Sequence, residues 1–339
     1  MQKLKGLVLN VKNFIFCISV LLTYTATAYC FDIDAPSAVA VDAQTGKILY
    51  GINPHTKLPP ASTTKLVTVM IALDNLDLEQ KVIISKKSAM TPGVTPRLIK
   101  GEAYKVRDLV YLALMRSVNA AAVALAEATA GSEANFVKLM NSKVQKIGAK
   151  DTRFVNSSGL PGRGQYTTVY DLTKIMSHAL EYPLIKEAVH TRVYLIRSLN
   201  GKKHFIQNTN QLLWEEDNII GGKTGYTRTA RHCFVSAYKV RGRLVYTAIL
   251  GDPNREKLWK DTQQLVVKAE DVLTGKEEPM VKLSEEKMSV PVSYKTNKNH
   301  IKKIRTDKNK KTTKTDKNKV KKTSKNKRVR NAKNNKSTI

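Results

Sequence analysis

Two apolar runs near the start, at residues 37–42 and 47–50, flank Ala43, Gln44, Thr45 and Gly46. That pattern predicts a β-hairpin with Gly46 at a left-handed turn position. Helical spacing of apolar positions then recurs over residues 62–74, 106–115, 120–128, 135–147 and 168–179. Residues 159–164 are rich in glycine and read as a loop. Residues 232–238 and 244–250 alternate with strand period around Arg241-Gly242 and predict a second hairpin. Residues 256–273 predict a closing helix packed on the sheet, and after it only residues 280–294 have strand character. Strands at both ends with helices between them indicate an α+β fold whose one sheet is closed by the two ends of the chain.

Charge divides the chain unevenly. The formal charge is +30, and residues 295–339 carry 19 Lys or Arg against two Asp. Lys, Asn and Thr dominate there, so that stretch buries too little apolar surface to offset its ordering entropy and is expected to be a disordered basic tail. It contains no Phe, Trp or Tyr, which argues against base stacking and hence against nucleic acid as a partner. The first residues carry Lys3, Lys5 and Lys12, then the apolar stretch 14–22, then Ala26-Thr27-Ala28. This is the layout of a secretory signal peptide cleaved after Ala28. The expected organisation is therefore a signal segment at 1–28, a catalytic domain at 29–275, a linker or short strand segment at 276–294 and the tail at 295–339. In an exported protein, an anionic wall polymer or a membrane surface suits the tail better than nucleic acid. Cys30 and Cys233 either pair in an oxidising compartment or leave Cys233 a buried thiol, and its apolar strand context favours the second. No His/Asp cluster at ligand spacing suggests a metal site.

The candidate chemistry lies in three short motifs in order: Ser62-Thr63-Thr64-Lys65, Ser117-Val118-Asn119 and Lys223-Thr224-Gly225. S-x-x-K and S-x-N recur elsewhere in the chain, but K-T-G occurs once. Only Ser62 follows a Pro59-Pro60 loop and precedes apolar residues at helical spacing, at Leu66, Val69, Met70 and Leu73. That context delivers Ser62 to the first turn of a buried helix, with Lys65 on the same face. This motif set belongs to active-site serine enzymes such as penicillin-binding proteins and β-lactamases.

The segment from Pro60 to Thr68 resembles the nucleophile segment of the D-alanyl-D-alanine carboxypeptidases, the low-molecular-weight penicillin-binding proteins. Gly222 to Thr227 resembles their third motif, and Phe154-Val155-Asn156-Ser157-Ser158-Gly159-Leu160 and Asn208-Thr209-Asn210 resemble further family segments. The likeness runs over roughly residues 34–273. It implies an antiparallel sheet flanked by helices, with an all-helical lobe, as in the serine β-lactamase and DD-peptidase fold. It also implies an exported serine carboxypeptidase of the periplasm or cell envelope, acting on peptidoglycan pentapeptides through an acyl-enzyme, inhibited by β-lactams and needing no cofactor.

The roles implied are specific. Ser62 is the nucleophile and Lys65, its pKa lowered by desolvation and by the charge of Lys223, the base. Ser117 passes a proton to the leaving amine, and Asn119 holds the substrate backbone and Lys65. Alternatively, Ser117 and Asn119 cap the following helix. Lys223 and Thr224 bind the substrate carboxylate, and Gly225 lets the substrate backbone approach. The backbone N–H groups of Ser62 and Tyr226 form the oxyanion hole. Three positions depart from the family pattern: Ala120 follows S-x-N where Asp is common, Gln165 stands where relatives often carry His, and no arginine aligns with the carboxylate reader. Arg255 and Arg228 are the nearest to that reader. Competing readings are a DD-endopeptidase, a β-lactamase, whose water-activating glutamate Glu181 and Glu187 are poorly placed to supply, and a non-catalytic envelope-binding protein.

Overall fold

The structure, a computed structural model, describes residues 33–284. The expected signal segment, Cys30 and the Lys-rich tail lie outside the described residues.

Strands β1 (Ser37–Asp42) and β2 (Ile48–Ile52) form the first hairpin. Gly46 closes it at φ +68°, donating its N–H to Asp42 O at 2.8 Å. A single 3₁₀ turn, Ala61–Thr64, then leads into α1 (Lys65–Asn75). After β3 (Lys81–Ile83), α2 (Lys86–Ala89) and β4 (Ala103–Lys105) come the helices of a lobe: α3 (Val106–Leu114), α4 (Asn119–Ala130) and α5 (Glu133–Lys146). Helices α6 (Val169–Ala179) and α7 (Pro183–His190) follow, then a two-stranded hairpin of β5 (Val193–Arg197) and β6 (Lys203–Gln207). The chain returns to the main sheet with β7 (Ile219–Thr227), β8 (Arg231–Val240) and β9 (Arg243–Asp252). It ends with α8 (Arg255–Leu273) and β10 (Met280–Lys282).

The main sheet has the order β10-β2-β1-β9-β8-β7. Its pairings are antiparallel except that β10 lies parallel to β2. The segment expected to be a linker or short strand thus adds an edge to the sheet, held by Asn53, which donates its N–H to Lys282 O and accepts from Ser284 N. The turn between β8 and β9 puts Arg241 and Gly242 at φ +48° and +80°, the paired positive values of a hairpin turn matched to strand twist.

Period-two alternation divides the sheet between two cores. Ala38, Ala40, Phe234 and Tyr238 face α8, where Leu258, Trp259, Leu265 and Ala269 bury against them. Val39, Val41, Cys233, Val235 and Ala237 face the helical lobe. Within the lobe, α4 is buried along most of its length and has seven alanines, so α1, α3 and α5 all pack against it closely. The N-terminus of α8 is fixed by a side-chain cap: the Asn254 carboxamide oxygen accepts from the N–H groups of Glu256 and Lys257. Such a cap is worth about 1 kcal/mol. The architecture is α+β, an antiparallel body of sheet flanked by helices with an all-helical lobe. Strand β7, which carries Lys223, Thr224 and Gly225, is the sheet edge facing the lobe, against the turn that bears Ser62.

Candidate active site

Ser62 stands in a 3₁₀ turn, not within the first α-helical turn that the sequence pattern predicts. Ala61, just before it, has φ +47° although it is not glycine, a conformation held only where surroundings over-determine it. The surroundings are specific. Thr63 Oγ1 donates to Pro60 O and Thr64 Oγ1 to Ala61 O, closing the turn on itself. Two glycines press on it from opposite elements. A Cβ at Gly159, whose φ is +81°, would lie 1.8 Å from Ala61 O, and a Cβ at Gly225 would lie 2.8 Å from Ser62 N. The close approach that Gly225 permits in the structure is to the serine turn itself.

Lys65 opens α1 and is wholly buried. Its Nζ stands 2.8 Å from Ser62 Oγ, 2.6 Å from Asn119 Oδ1 and 2.6 Å from Ser158 O. Burial, and then the charge of Lys223, hold its pKa well below the usual lysine value. A neutral amine has two N–H bonds and one lone pair. The two carbonyl-type oxygens accept the two N–H groups, which leaves the lone pair for the proton of Ser62. Asn119 is itself fixed by donating its Nδ2 to Pro92 O at 2.7 Å.

Lys223 is equally buried, and burial pushes it down to about 7. Its Nζ donates to Ser117 Oγ at 3.1 Å and to Thr224 O at 2.8 Å. Ser117 sits at φ +64° in the link between α3 and α4. The N-cap of α4 is Val118, with no side-chain cap, so Ser117 and Asn119 do not serve as helix caps. Both point their side chains at a lysine instead.

Thr224 Oγ1 lies 2.5 Å from Thr209 Oγ1, which brings the Asn208-Thr209-Asn210 segment to the cleft. Tyr226 is exposed and its ring lies 4.5 Å from that of His232. Of the two arginines, Arg255 lines the cleft and donates to Thr209 O at 3.4 Å, while Arg228 is absent from its walls. The cleft is about 520 Å³, and among the described residues no Asp or Glu lines it. Glu187 instead accepts from the Tyr111 hydroxyl, and Glu181 faces His178. Among the described residues no group of His, Cys, Asp and Glu could hold a metal ion. Cys233 is a buried free thiol, raised to about 12 by burial.

Sequence reasoning missed Arg116, which lines the cleft, and the backbone oxygen of Ser158. The Phe154-to-Leu160 likeness marked the right segment without showing that its carbonyl meets the lysine. Gln165 is buried in the same loop, donating to Leu160 O and accepting from Val155 N.

A family profile described as D-alanyl-D-alanine carboxypeptidase matches residues 23–254. The D-alanyl-D-alanine carboxypeptidase DacF of Bacillus subtilis is 34% identical over 64% of this chain, which spans 57% of that relative's length. The D-alanyl-D-alanine endopeptidase of Pseudomonas aeruginosa is 36% identical over 68% of this chain and 78% of its own. Among solved structures, the D-alanyl-D-alanine carboxypeptidase of Mycobacterium tuberculosis superposes with a TM-score of 0.66 at 29% identity, covering 72% of this chain and 94% of its own. A mutant of the Streptomyces K15 DD-transpeptidase gives 0.67 at 29% identity, over 70% and 98%.

Proposed function

The chain belongs to the D-alanyl-D-alanine carboxypeptidase family of low-molecular-weight penicillin-binding proteins, and we propose that it is an exported serine carboxypeptidase. It removes the terminal D-alanine of peptidoglycan stem peptides through an acyl-enzyme on Ser62. The observation that carries this reading is the set of contacts at Lys65 Nζ, with Ser62 Oγ at 2.8 Å and two carbonyl-type acceptors at 2.6 Å. They leave one lone pair, and it faces one hydroxyl.

The steps follow from that geometry. Lys65 takes the Ser62 proton as Oγ attacks the carbonyl carbon of the penultimate D-alanine. General-base help of this kind is worth ~10²–10⁴ in rate. The oxyanion forms against the N–H groups of Ser62 and Tyr226. The proton passes from Lys65 by way of Ser117 to the departing nitrogen, the C–N bond breaks, and D-alanine leaves. Lys223 and Thr224, with Arg255 beside Thr209, hold its carboxylate. Water then cleaves the ester and restores Ser62. Penicillin presents a strained amide beside a carboxylate and enters the same path.

Among the described residues no carboxylate lines the cleft, which speaks against a β-lactamase, since that needs a group to activate the deacylating water. The intact lysine pair speaks against a purely binding role. Export rests on the layout of residues 1–28, and the tail at 295–339 is suited to anionic wall polymer or a membrane surface. Deleting 295–339 should then abolish sacculus or vesicle binding; unchanged binding would remove the tail from the account.

The decisive experiment is intact mass after mixing residues 29–339 with penicillin, for the native protein and Ser62→Ala. One stable penicilloyl adduct, missing in Ser62→Ala, is expected. No adduct with the drug intact would refute the enzyme reading. No adduct with the drug hydrolysed would make it a β-lactamase.

A further inference from the structure

One of the partners of Lys65 Nζ is a backbone oxygen, that of Ser158. Ser158 lies in no helix or strand, so no backbone ladder aims that oxygen. The residue before it is held from two sides. Ser157 is wholly buried. Its carbonyl accepts from Thr68 Oγ1 at 2.6 Å, and Thr68 lies on α1, one turn beyond Lys65. Its N–H and its hydroxyl both donate to Glu133 Oε1, at 3.0 and 2.7 Å. Just past Ser158 the chain is turned by Asn156, whose Oδ1 accepts from Gly159 N at 2.8 Å.

Glu133 is the first residue of α5. An acid at that place commonly serves the helix terminus, but the cap here is Ser132, whose hydroxyl oxygen accepts from Asn135 N. The Glu133 side chain is 15% exposed, and its other oxygen, Oε2, lies 2.9 Å from Lys87 Nζ. Burial pushes this carboxyl up, yet the Ser157 bonds and Lys87 outweigh it and hold it below its ordinary value, so it stays ionised. Neither Glu133 nor Ser157 lines the cleft.

We propose that Glu133 is a positioning residue for the general base. By fixing Ser157 it aims Ser158 O at Lys65, which occupies one N–H of the neutral amine and keeps the lone pair on the Ser62 proton. The proposal rests on the Ser62 acyl-enzyme reading given above.

The donor count says why a carboxylate stands here. Three donors meet it: the Ser157 N–H, the Ser157 hydroxyl and the Lys87 ammonium. Only a group with an acceptor at each end satisfies all three. A glutamine has one oxygen and one NH2, so one of its ends must set a donor against a donor. With the NH2 toward Ser157, the loop shifts and Ser158 O leaves Lys65. The amine is then free to rotate and its lone pair moves off Ser62, and a misplacement of about 1 Å costs roughly 10²-fold in rate. Losing an acceptor also removes more support from the ammonium form of Lys65 than from the amine, because bonds from a charged donor are the stronger ones. The pKa of Lys65 should therefore fall further.

The test follows penicillin acylation against pH for the native protein, Glu133→Gln, Lys87→Met and the double variant. Glu133→Gln should keep the native circular dichroism spectrum, lower the plateau rate by about ten- to a hundredfold, and move the acid limb to lower pH. Lys87→Met alone should stay within about threefold of native. Added to Glu133→Gln it should restore most of the lost rate, because the amide can then turn its oxygen to Ser157 and its NH2 to the space that Lys87 leaves. A loop that had merely loosened would let water reach Lys65 and move the limb to higher pH instead. That upward shift, a Glu133→Gln plateau equal to native, or no rescue by Lys87→Met would overturn the proposal. Should Glu133→Gln fail to fold, Ser157→Ala, which deletes only the hydroxyl bond, carries the test: a slower plateau with the limb moved down is expected, and an unchanged plateau or a limb moved up overturns it. A native protein that penicillin does not acylate would instead bring down the acyl-enzyme reading beneath, so the two failures are told apart.

Discussion

At the scale of single residues, the site is organised around two buried lysines, Lys65 and Lys223. Lys65 is held low by burial and by the positive charge of Lys223. Removing that charge with Lys223→Met should raise the pKa of Lys65, so the acid limb of penicillin acylation against pH should move to higher pH. A limb that stays in place would mean that Lys223 does not tune the base. The same lysine carries a stability signature. Its native pKa is about 7 against an ordinary value of 10.5, so the unfolded chain binds more protons between those values. Stability contributed at this position rises with pH across that window. Lys223→Met should therefore raise Tm by several degrees at pH 7 and below, and give no advantage of this origin above pH 10.5. Melting curves at pH 6 and 10.5 decide it, and the gain should come with lost acylation, as replacing a functional group often does.

At the scale of elements, the serine turn is held between β7 and the loop that carries Gly159. Gly225→Ala should leave the fold intact and slow acylation by about 10²-fold, because its Cβ must displace Ser62 N, one of the proposed oxyanion donors. Circular dichroism beside acylation kinetics would separate that result from simple unfolding. Gly159→Ala adds a left-handed φ to a collision with Ala61 O, and should cost about 2–4 kcal/mol of stability, measured by denaturant unfolding. The elements carrying the motifs were legible from the chain. Both main-sheet hairpins and the helices around Ser62 and Ser117 follow apolar periodicity, and their ends shift by only a residue or two, except that α1 begins three residues later than expected, at Lys65. What periodicity hid was of two kinds. The β5–β6 hairpin presents Leu195 and Phe205 outward, so its pattern does not resemble that of a half-buried strand. Helix α7 is short, and its Pro183 start offers little sequence to read. Within the site, side-chain identities pointed to Lys65 and Asn119. A backbone oxygen such as that of Ser158 has no letter in the sequence, and neither does the clash that makes Gly225 necessary.

Across the whole molecule, the two ends of the folded body meet at a buried acidic joint. Asp252 ends β9, Asp261 lies in α8, and Asp261 Oδ2 accepts from the N–H groups of Asp34 and Ala35 just before β1. Asp252 accepts from Asn254 N through one oxygen, while its other oxygen is buried without a partner. Burial, then Asp261 and Asp34, push its carboxyl up to about 7. A carboxyl raised from 3.8 favours the folded state at low pH, and that contribution is lost as pH climbs through 7. Asp252→Asn should therefore stabilise the protein by about 1–3 kcal/mol at pH 8 and by little at pH 4. Urea titrations at both values check the sign. Asp252 pairs in register with His232, whose ring lies against Tyr226, so this joint reaches the cleft through one β-bridge.

The missing carboxylate in the cleft wall is also a statement about time. On the acyl-enzyme reading proposed above, a site whose described walls offer no acid side chain to ready a water for ester cleavage would work as a latch when the leaving group stays attached. In that mechanism D-alanine would drift away and clear the space. The ring-opened drug would keep its own amine tethered and continue to fill it. The occupied protein would then outlast the free antibiotic, and recovery of trimming after a brief exposure would follow synthesis of new enzyme more closely than release of the old.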